Sequence, residues 1–437
     1  EAAGWALVRA ELAGAEIRLD ATLEDGTVAF VGDAELTDLA RVAALVAPGF
    51  DFAGAATVEA TGSVPLDGFL SGWGGPLPGA SGDVAVRIRD GRIGPLNRVA
   101  GEIRAEFAAV GDRLKLRGLG PWRMDAASPE PVVLVVEGAG EEVQEIVLRP
   151  SGGPAVSFAG RYRIETPQAT VRGEATAVAE GNGDGISYRI DRLTMASSPL
   201  AWSGLDVQVR AASLTGKGGA NSFSGQVELQ ADIAGALQDG VEIEDGAVAG
   251  QALVGWDGRR LMLSPEECLA IEASRVTFGT AALLPQGAEL CLRSLPGRAM
   301  VTFAPAGAEP WSAEFGVSVA AAGAGDIPMR AGTGEGSIHP PTVVLEGRLG
   351  SGGLEAVRGR FDGGRLVLEN PSLDLIGIGG SFEGAAGSLL PLEVRWQVDT
   401  ARYGGERPVL VPVHLSGSAT ADGEELVFEG QGVGAGG

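Results

Sequence analysis

Apolar and polar residues alternate one by one along most of this chain. From Ile17 to Leu23 every odd position is apolar and every even position polar. Val84, Val86 and Ile88 alternate with Ala85, Arg87 and Arg89, and Val99, Gly101, Ile103, Ala105 and Phe107 with Glu102, Arg104 and Glu106. The same pattern runs through Val227, Leu229, Ala231 and Ile233, and again through Val394, Trp396 and Val398. A period of two predicts β-strands with one greasy and one charged face. Between the runs, Asp-Gly pairs such as Asp25-Gly26, Asp90-Gly91, Asp257-Gly258, Asp362-Gly363 and Asp422-Gly423 predict hairpin turns. The chain therefore reads as all-β and mostly antiparallel. One short helix is expected, from Leu39 to Val46, with Thr37 as its N-cap and Pro48-Gly49 as its stop.

Alternation shows that one face is apolar, not what that face touches. It is compatible with a β-sandwich, a lipid-facing barrel, a parallel β-helix or an open groove. Three Tyr and seven Trp are few for the aromatic girdles of a barrel, and no short repeat marks a β-helix. At 437 residues the chain holds several domains or one elongated repetitive body, and no composition shift divides it, so residues 1–437 are read as one continuous segment. Its 70 glycines suggest many turns and bulges.

A formal net charge of −24 argues against nucleic acid and against tight binding to anionic head groups. It leaves contact with acyl tails open. No stretch of 18 apolar residues and no signal peptide is present. The chain starts inside a strand-like pattern and stops just after one, so it is expected to be the middle of a longer protein.

Candidate chemistry is sparse. Cys268 and Cys291 are a disulfide candidate, since two adjacent strands could bring them together, and two unpaired buried thiols are the alternative. No His lies near enough for a zinc site. His339 and His414 read as ordinary surface or turn residues. Gly432, Gly434 and Gly437 match a dinucleotide fingerprint by letter, but the helix that must follow is missing. Gly181-Asn182-Gly183-Asp184-Gly185 resembles half a calcium loop and reads better as a hairpin turn. No nucleophile elbow occurs, and no metal, cofactor or enzymatic activity is expected.

Several stretches resemble the AsmA-like superfamily. They are Leu36 to Ala40 followed by Phe52 to Leu66, Leu366 to Leu373, and Val413 to Gly423. The chain looks most like the YdbH-like branch, with TamB as a more distant relative; Cys268 and Cys291, each followed by Leu, are similar to that branch as well. The resemblance implies a taco-shaped β-groove with a hydrophobic interior, and a periplasmic bridge that moves phospholipids between inner and outer membrane. It also implies an inner-membrane anchor outside this sequence and a small outer-membrane lipoprotein added by strand pairing. The apolar strand residues expected to line such a groove are Leu19, Val86, Ile88, Ile103, Phe107, Leu229, Ile233, Val317, Leu345, Leu368, Val394 and Val398. A set of structural or adhesive β-sandwich modules at the cell surface is the alternative.

Overall fold

In the computed structural model the described residues form one antiparallel sheet of thirty strands, β1 to β30 in chain order. The structure describes residues 4–434 except 13–14, 42–51, 72–77, 94–95, 112, 128–130, 139–144, 149–154, 168–169, 183–184, 198–204, 220–221, 238–240, 279–280, 286–288, 305–311, 322–324, 332–333, 351–352, 371, 385–391, 405–412 and 422–425. The fold is an elongated all-β groove with an apolar interior.

Most connections are sequential hairpins. β2 (Ala15–Glu24) and β3 (Thr27–Leu36) meet at Asp25 and Gly26, whose φ angles are 49° and 75°. A two-residue turn matching strand twist needs positive φ at both positions. Asp257-Gly258 opens the longer loop 257–260 that turns β16 (Val241–Trp256) into β17 (Leu261–Glu272), with positive φ at Gly258. The Asp257 carboxylate accepts the backbone N–H groups of Arg259 (2.9 Å) and Arg260 (2.7 Å), which hold its pKa below the ordinary carboxylate value.

Two other Asp-Gly pairs correct the hairpin expectation. Asp90-Gly91 lies inside β5 (Ser81–Ile93) and Asp362-Gly363 inside β26 (Gly353–Leu368), each at a shift of register. Positive φ serves a β-bulge as readily as a turn. Asp422-Gly423 lies outside the described residues. The expected helix does begin at Leu39, and Asp38 caps it: its carboxylate accepts the Ala40 N–H at 3.1 Å and pairs with Arg41 at 3.3 Å. Residues 42–46 lie outside the described residues. A helix the pattern did not predict, α1 (Leu66–Ser71), follows β4 (Phe52–Pro65) and packs Leu66 into a cluster with Val28 and Val64.

Some rungs of the sheet are made of short strands placed end to end. β6 (Leu96–Val110) is flanked along its length by β7 (Arg113–Gly118) and β8 (Trp122–Ala126). The next rung joins β10 (Glu145–Leu148) to β9 (Val132–Gly138), and both pair with β11 (Ala155–Glu165). Farther on, β17 and β18 (Arg275–Phe278) share one rung, and β19 (Ala281–Leu283), β20 (Leu290–Ser294) and β21 (Val301–Ala304) the next. The apolar run through Val276 and Leu283 is therefore split between two strands, β18 and β19. β22 (Ser312–Ala321) with β23 (Ile327–Ala331), and β24 (Gly334–His339) with β25 (Thr342–Gly350), complete this zone. These six unions absorb seven strands, so thirty strands make twenty-three rungs. At ~4.8 Å per rung the sheet is on the order of 100 Å long.

Most of the bulges are aligned. Register shifts at Thr176/Ala177, Val209/Ala211, Ile233/Gly235, Phe361/Gly364 and Val398/Ala401 run obliquely from rung to rung, in line with the breaks that separate β17 from β18, β22 from β23 and β24 from β25. A bulge bends its strand and adds twist, so an aligned row of them creases the sheet into a trough. The trough stays open. Among the described residues β1 (Gly4–Leu12) pairs only with β2, and β30 (Leu426–Gly434) only with β29 (Val413–Ala421), so the sheet does not close. Accessible surface is 24,799 Å², against about 15,500 Å² expected for a compact chain of this mass. The hydrophobic clusters around Val64, Val209 and Leu269 each unite neighbouring rungs.

Candidate functional site

Cross-strand partners point to the same side of a sheet, so register carries one face from strand to strand. Starting at Leu19, the chain of partners runs through Gly32, Ala60, Val84 and Ala105. In parallel, Val58 pairs with Val86 and Val86 with Ile103, while Ala56 pairs with Ile88 and Gly82 with Phe107. In the middle of the sheet Leu229 sits between Ala212 and Gly250, and Ile233 between Val207 and Gly246. Toward the end, Val317 pairs with Leu345, Leu345 with Gly359, Gly359 with Phe382, and Phe382 with Val394. Leu368 faces Gly336 and Leu373, and Val398 faces Ile378 and Leu415. All twelve residues expected to line a groove thus lie on one face. Ten of them are half-buried; Val317 and Val398 are buried.

Among the residues that cross-strand pairing assigns to this face, none is charged, and Ser197 and Ser294 are the only non-aromatic polar side chains. Most polar tips are turned into the sheet. Tyr162 donates to the Thr194 carbonyl and Tyr188 to the Ser224 carbonyl, each at 3.0 Å, and burial raises both phenol pKa values. Trp122 Nε1 donates to the Arg104 carbonyl at 3.3 Å and Ser197 Oγ to the Val207 carbonyl at 3.3 Å. Ser294 Oγ and Trp396 Nε1 are buried there without a partner among the described residues.

Aromatic rings on this face lie opposite glycines. Phe30 and Phe107 converge on Gly62, and a Cβ built there would meet their Cζ atoms at 2.9 and 2.8 Å. Phe315 covers Gly347, Phe382 covers Gly359, Phe361 covers Gly380, and Trp396 covers both Gly417 and Gly430. Alternation alone did not reveal these glycines as part of the face, because the ring and its glycine sit on different strands.

The opposite face is a lattice of ions. Arg87 bridges Glu59 (2.7 Å) and Glu102 (3.7 Å), and these carboxylates raise its pKa. Glu346 holds Arg298 (2.7 Å) and Arg358 (2.8 Å), and Arg365 forms a two-pronged pair with Asp374. A depression of about 540 Å³ between Leu295 and Arg395 lies on this side. Its acidic and basic side chains largely neutralise one another, so it is a poorer candidate than the apolar face.

Cys268 and Cys291 are joined as a disulfide with Cα atoms 5.4 Å apart. Their neighbours Leu269 and Leu292 pair on the apolar face, so the bridge ties β17 to β20 from the charged side. His339 ends β24 with Nδ1 3.4 Å from Asp326, and His414 is exposed on β29. Asn182 pairs with Gly185 across the hairpin that resembled a calcium loop. Gly432 and Gly434 lie within β30, and Gly437 lies outside the described residues. No three His, Cys, Asp or Glu among the described residues gather as metal ligands. No helix among them is long and apolar enough to cross a membrane.

The fold and this face together define an open β-groove protein. No protein-family model, curated protein or solved structure gives a significant match to the chain.

Proposed function

We propose that this chain is a non-enzymatic conduit that carries phospholipid by its acyl tails along the apolar face. We further propose that it serves as a stretch of a periplasmic bridge between inner and outer membrane. The supporting observation is one face, apolar across the sheet, uncharged at its paired positions and left half-exposed for roughly 100 Å. Water in contact with such a face is unfavourable, and acyl tails relieve it by roughly 0.8 kcal/mol per buried CH₂. A tail that leaves one rung gains the same contact on the next, so sliding along the groove is nearly level in free energy and needs no bond chemistry. The other face, with its ion pairs, faces water. The membrane-contacting parts, an inner-membrane anchor and an outer-membrane lipoprotein, belong to this proposal and lie beyond the sequence.

Site-specific photo-crosslinking tests it. A photoreactive residue replacing Leu229 or Val394 is expected to capture phospholipid in cells, and one replacing Glu228 or Glu393 on the charged face is not. Equal labelling of both faces, or no lipid adduct at Leu229 and Val394, would overturn the proposal.

A further inference from the structure

Resting on the conduit reading, we infer that the glycines beneath the inward-facing rings set the bore of the groove. A ring on a trough floor has two options. It can stand into the lumen, or it can lie across the neighbouring strand. Standing, it fills space an acyl chain needs. Lying down requires that the neighbouring position carry no side chain. The structure shows the second arrangement repeatedly. Phe30 and Phe107 share Gly62, Phe361 reaches Gly380, and Trp396 spans two successive strands over Gly417 and Gly430. In each case the far end of the ring sits where a Cβ would be, closer than the ~3.5–4 Å of an ordinary carbon contact. Phe30 and Phe107 stack at 6.1 Å and Phe361 and Phe382 at 6.5 Å, with interplanar angles of 29° and 27°. The rings of these two pairs lie nearly parallel to one another, whereas Tyr188 and Phe223 meet edge to face at 5.8 Å and 84°. The polar tips of Tyr162 and Tyr188 point along the sheet to neighbouring backbone, as rings lying down must.

At several of these glycines a Cβ would also strike backbone, so a substitution there confuses bore with folding. Gly430 is different. A Cβ there meets Trp396 Cη2 and Cζ2, both at 3.1 Å, and the Ser416 carbonyl only at an ordinary 3.5 Å. The first atoms a side chain at Gly430 meets are therefore those of the indole, and Gly430→Val is expected to lift it from the floor. Gln431→Val, on the opposite face of the same strand, is the control.

The readout is lipid capture by a photoreactive residue at Val394, on the same face two positions from Trp396, and at Leu229, far along the sheet. In Gly430→Val, capture at Val394 is expected to fall severalfold while capture at Leu229 and the melting temperature hold. Gly430→Val combined with Trp396→Ala is expected to restore capture at Val394, which a merely structural glycine would not allow. Unchanged capture at Val394 in Gly430→Val, or no restoration in the double variant, would overturn the inference and leave the conduit intact. Absence of capture at both positions in the unmodified chain would remove the conduit reading, and this inference with it.

Discussion

Placing charge on the floor of the groove should stop lipid without unfolding the sheet. Ile103→Glu and Leu229→Glu together make the test. Leu229 is half-buried between Ala212 and Gly250, both small, so a carboxylate there can reach water when no lipid is present. The loss of partial burial costs about 1–2 kcal/mol at each site, a modest effect for a single position. A passing tail meets something larger. It loses contact for about three CH₂ groups, roughly 2.4 kcal/mol, and it must strip water from a carboxylate, which costs several kcal/mol if complete and less if the side chain bends aside. A barrier of about 4 kcal/mol is a conservative total, and at ~1.4 kcal/mol per decade it slows sliding roughly a thousandfold. Transfer of fluorescent phospholipid between vesicles tethered to the two ends of the full-length protein measures this. Val31→Glu is the control, because Val31 is 59% exposed on the charged face and its substitution should leave transfer unchanged. Wild-type transfer by the folded double variant would refute the reasoning.

Three further outcomes are expected. Reducing the Cys268–Cys291 bond should remove about 3 kcal/mol of loop-closure stabilisation for its sequence separation of 23, seen as faster amide exchange in Leu261–Glu272 and Leu290–Ser294; unchanged exchange there would count against it. The Arg365 guanidinium lowers the Asp374 pKa, so that ion pair adds stability above the ordinary Asp value and loses it as pH falls through the depressed value. Partial exposure keeps the effect below about 1 kcal/mol, so Asp374→Asn should lower the melting temperature slightly at neutral and high pH, leave it unchanged below the depressed value, and so flatten the acid limb of the profile. Gly54→Val should destabilise by about 2 kcal/mol or more in denaturant titration, since Gly54 has φ +117° and its Cβ would lie 2.6 Å from Gly91 Cα.

An open trough explains why its strands were legible. Each strand keeps one face wet and one face greasy, so Leu19, Ile103, Leu229 and Val394 announce their side by alternation alone. The bulges were not legible as bulges. Asp90-Gly91 and Asp362-Gly363 have the same local chemistry as the true turn at Asp25-Gly26, and only the partner strand decides whether the chain reverses or continues. The role of Asp38 at the helix start was not read from the pattern, because its carboxylate both accepts the Ala40 N–H and pairs with Arg41, a contact that only the turn brings about. The glycines beneath the rings stayed hidden for a longer-range reason. Gly62 lies 32 residues from Phe30 and 45 from Phe107, and only register makes them neighbours.

Mass spectrometry of lipid extracted from the purified chain, beside an unrelated protein from the same preparation, tests the central claim most directly. Phospholipid well above the control is expected, in a ratio that falls when Ile103 and Leu229 are both changed to Glu. A stable chain that emerges free of lipid would contradict the conduit and favour a structural or adhesive β-protein instead.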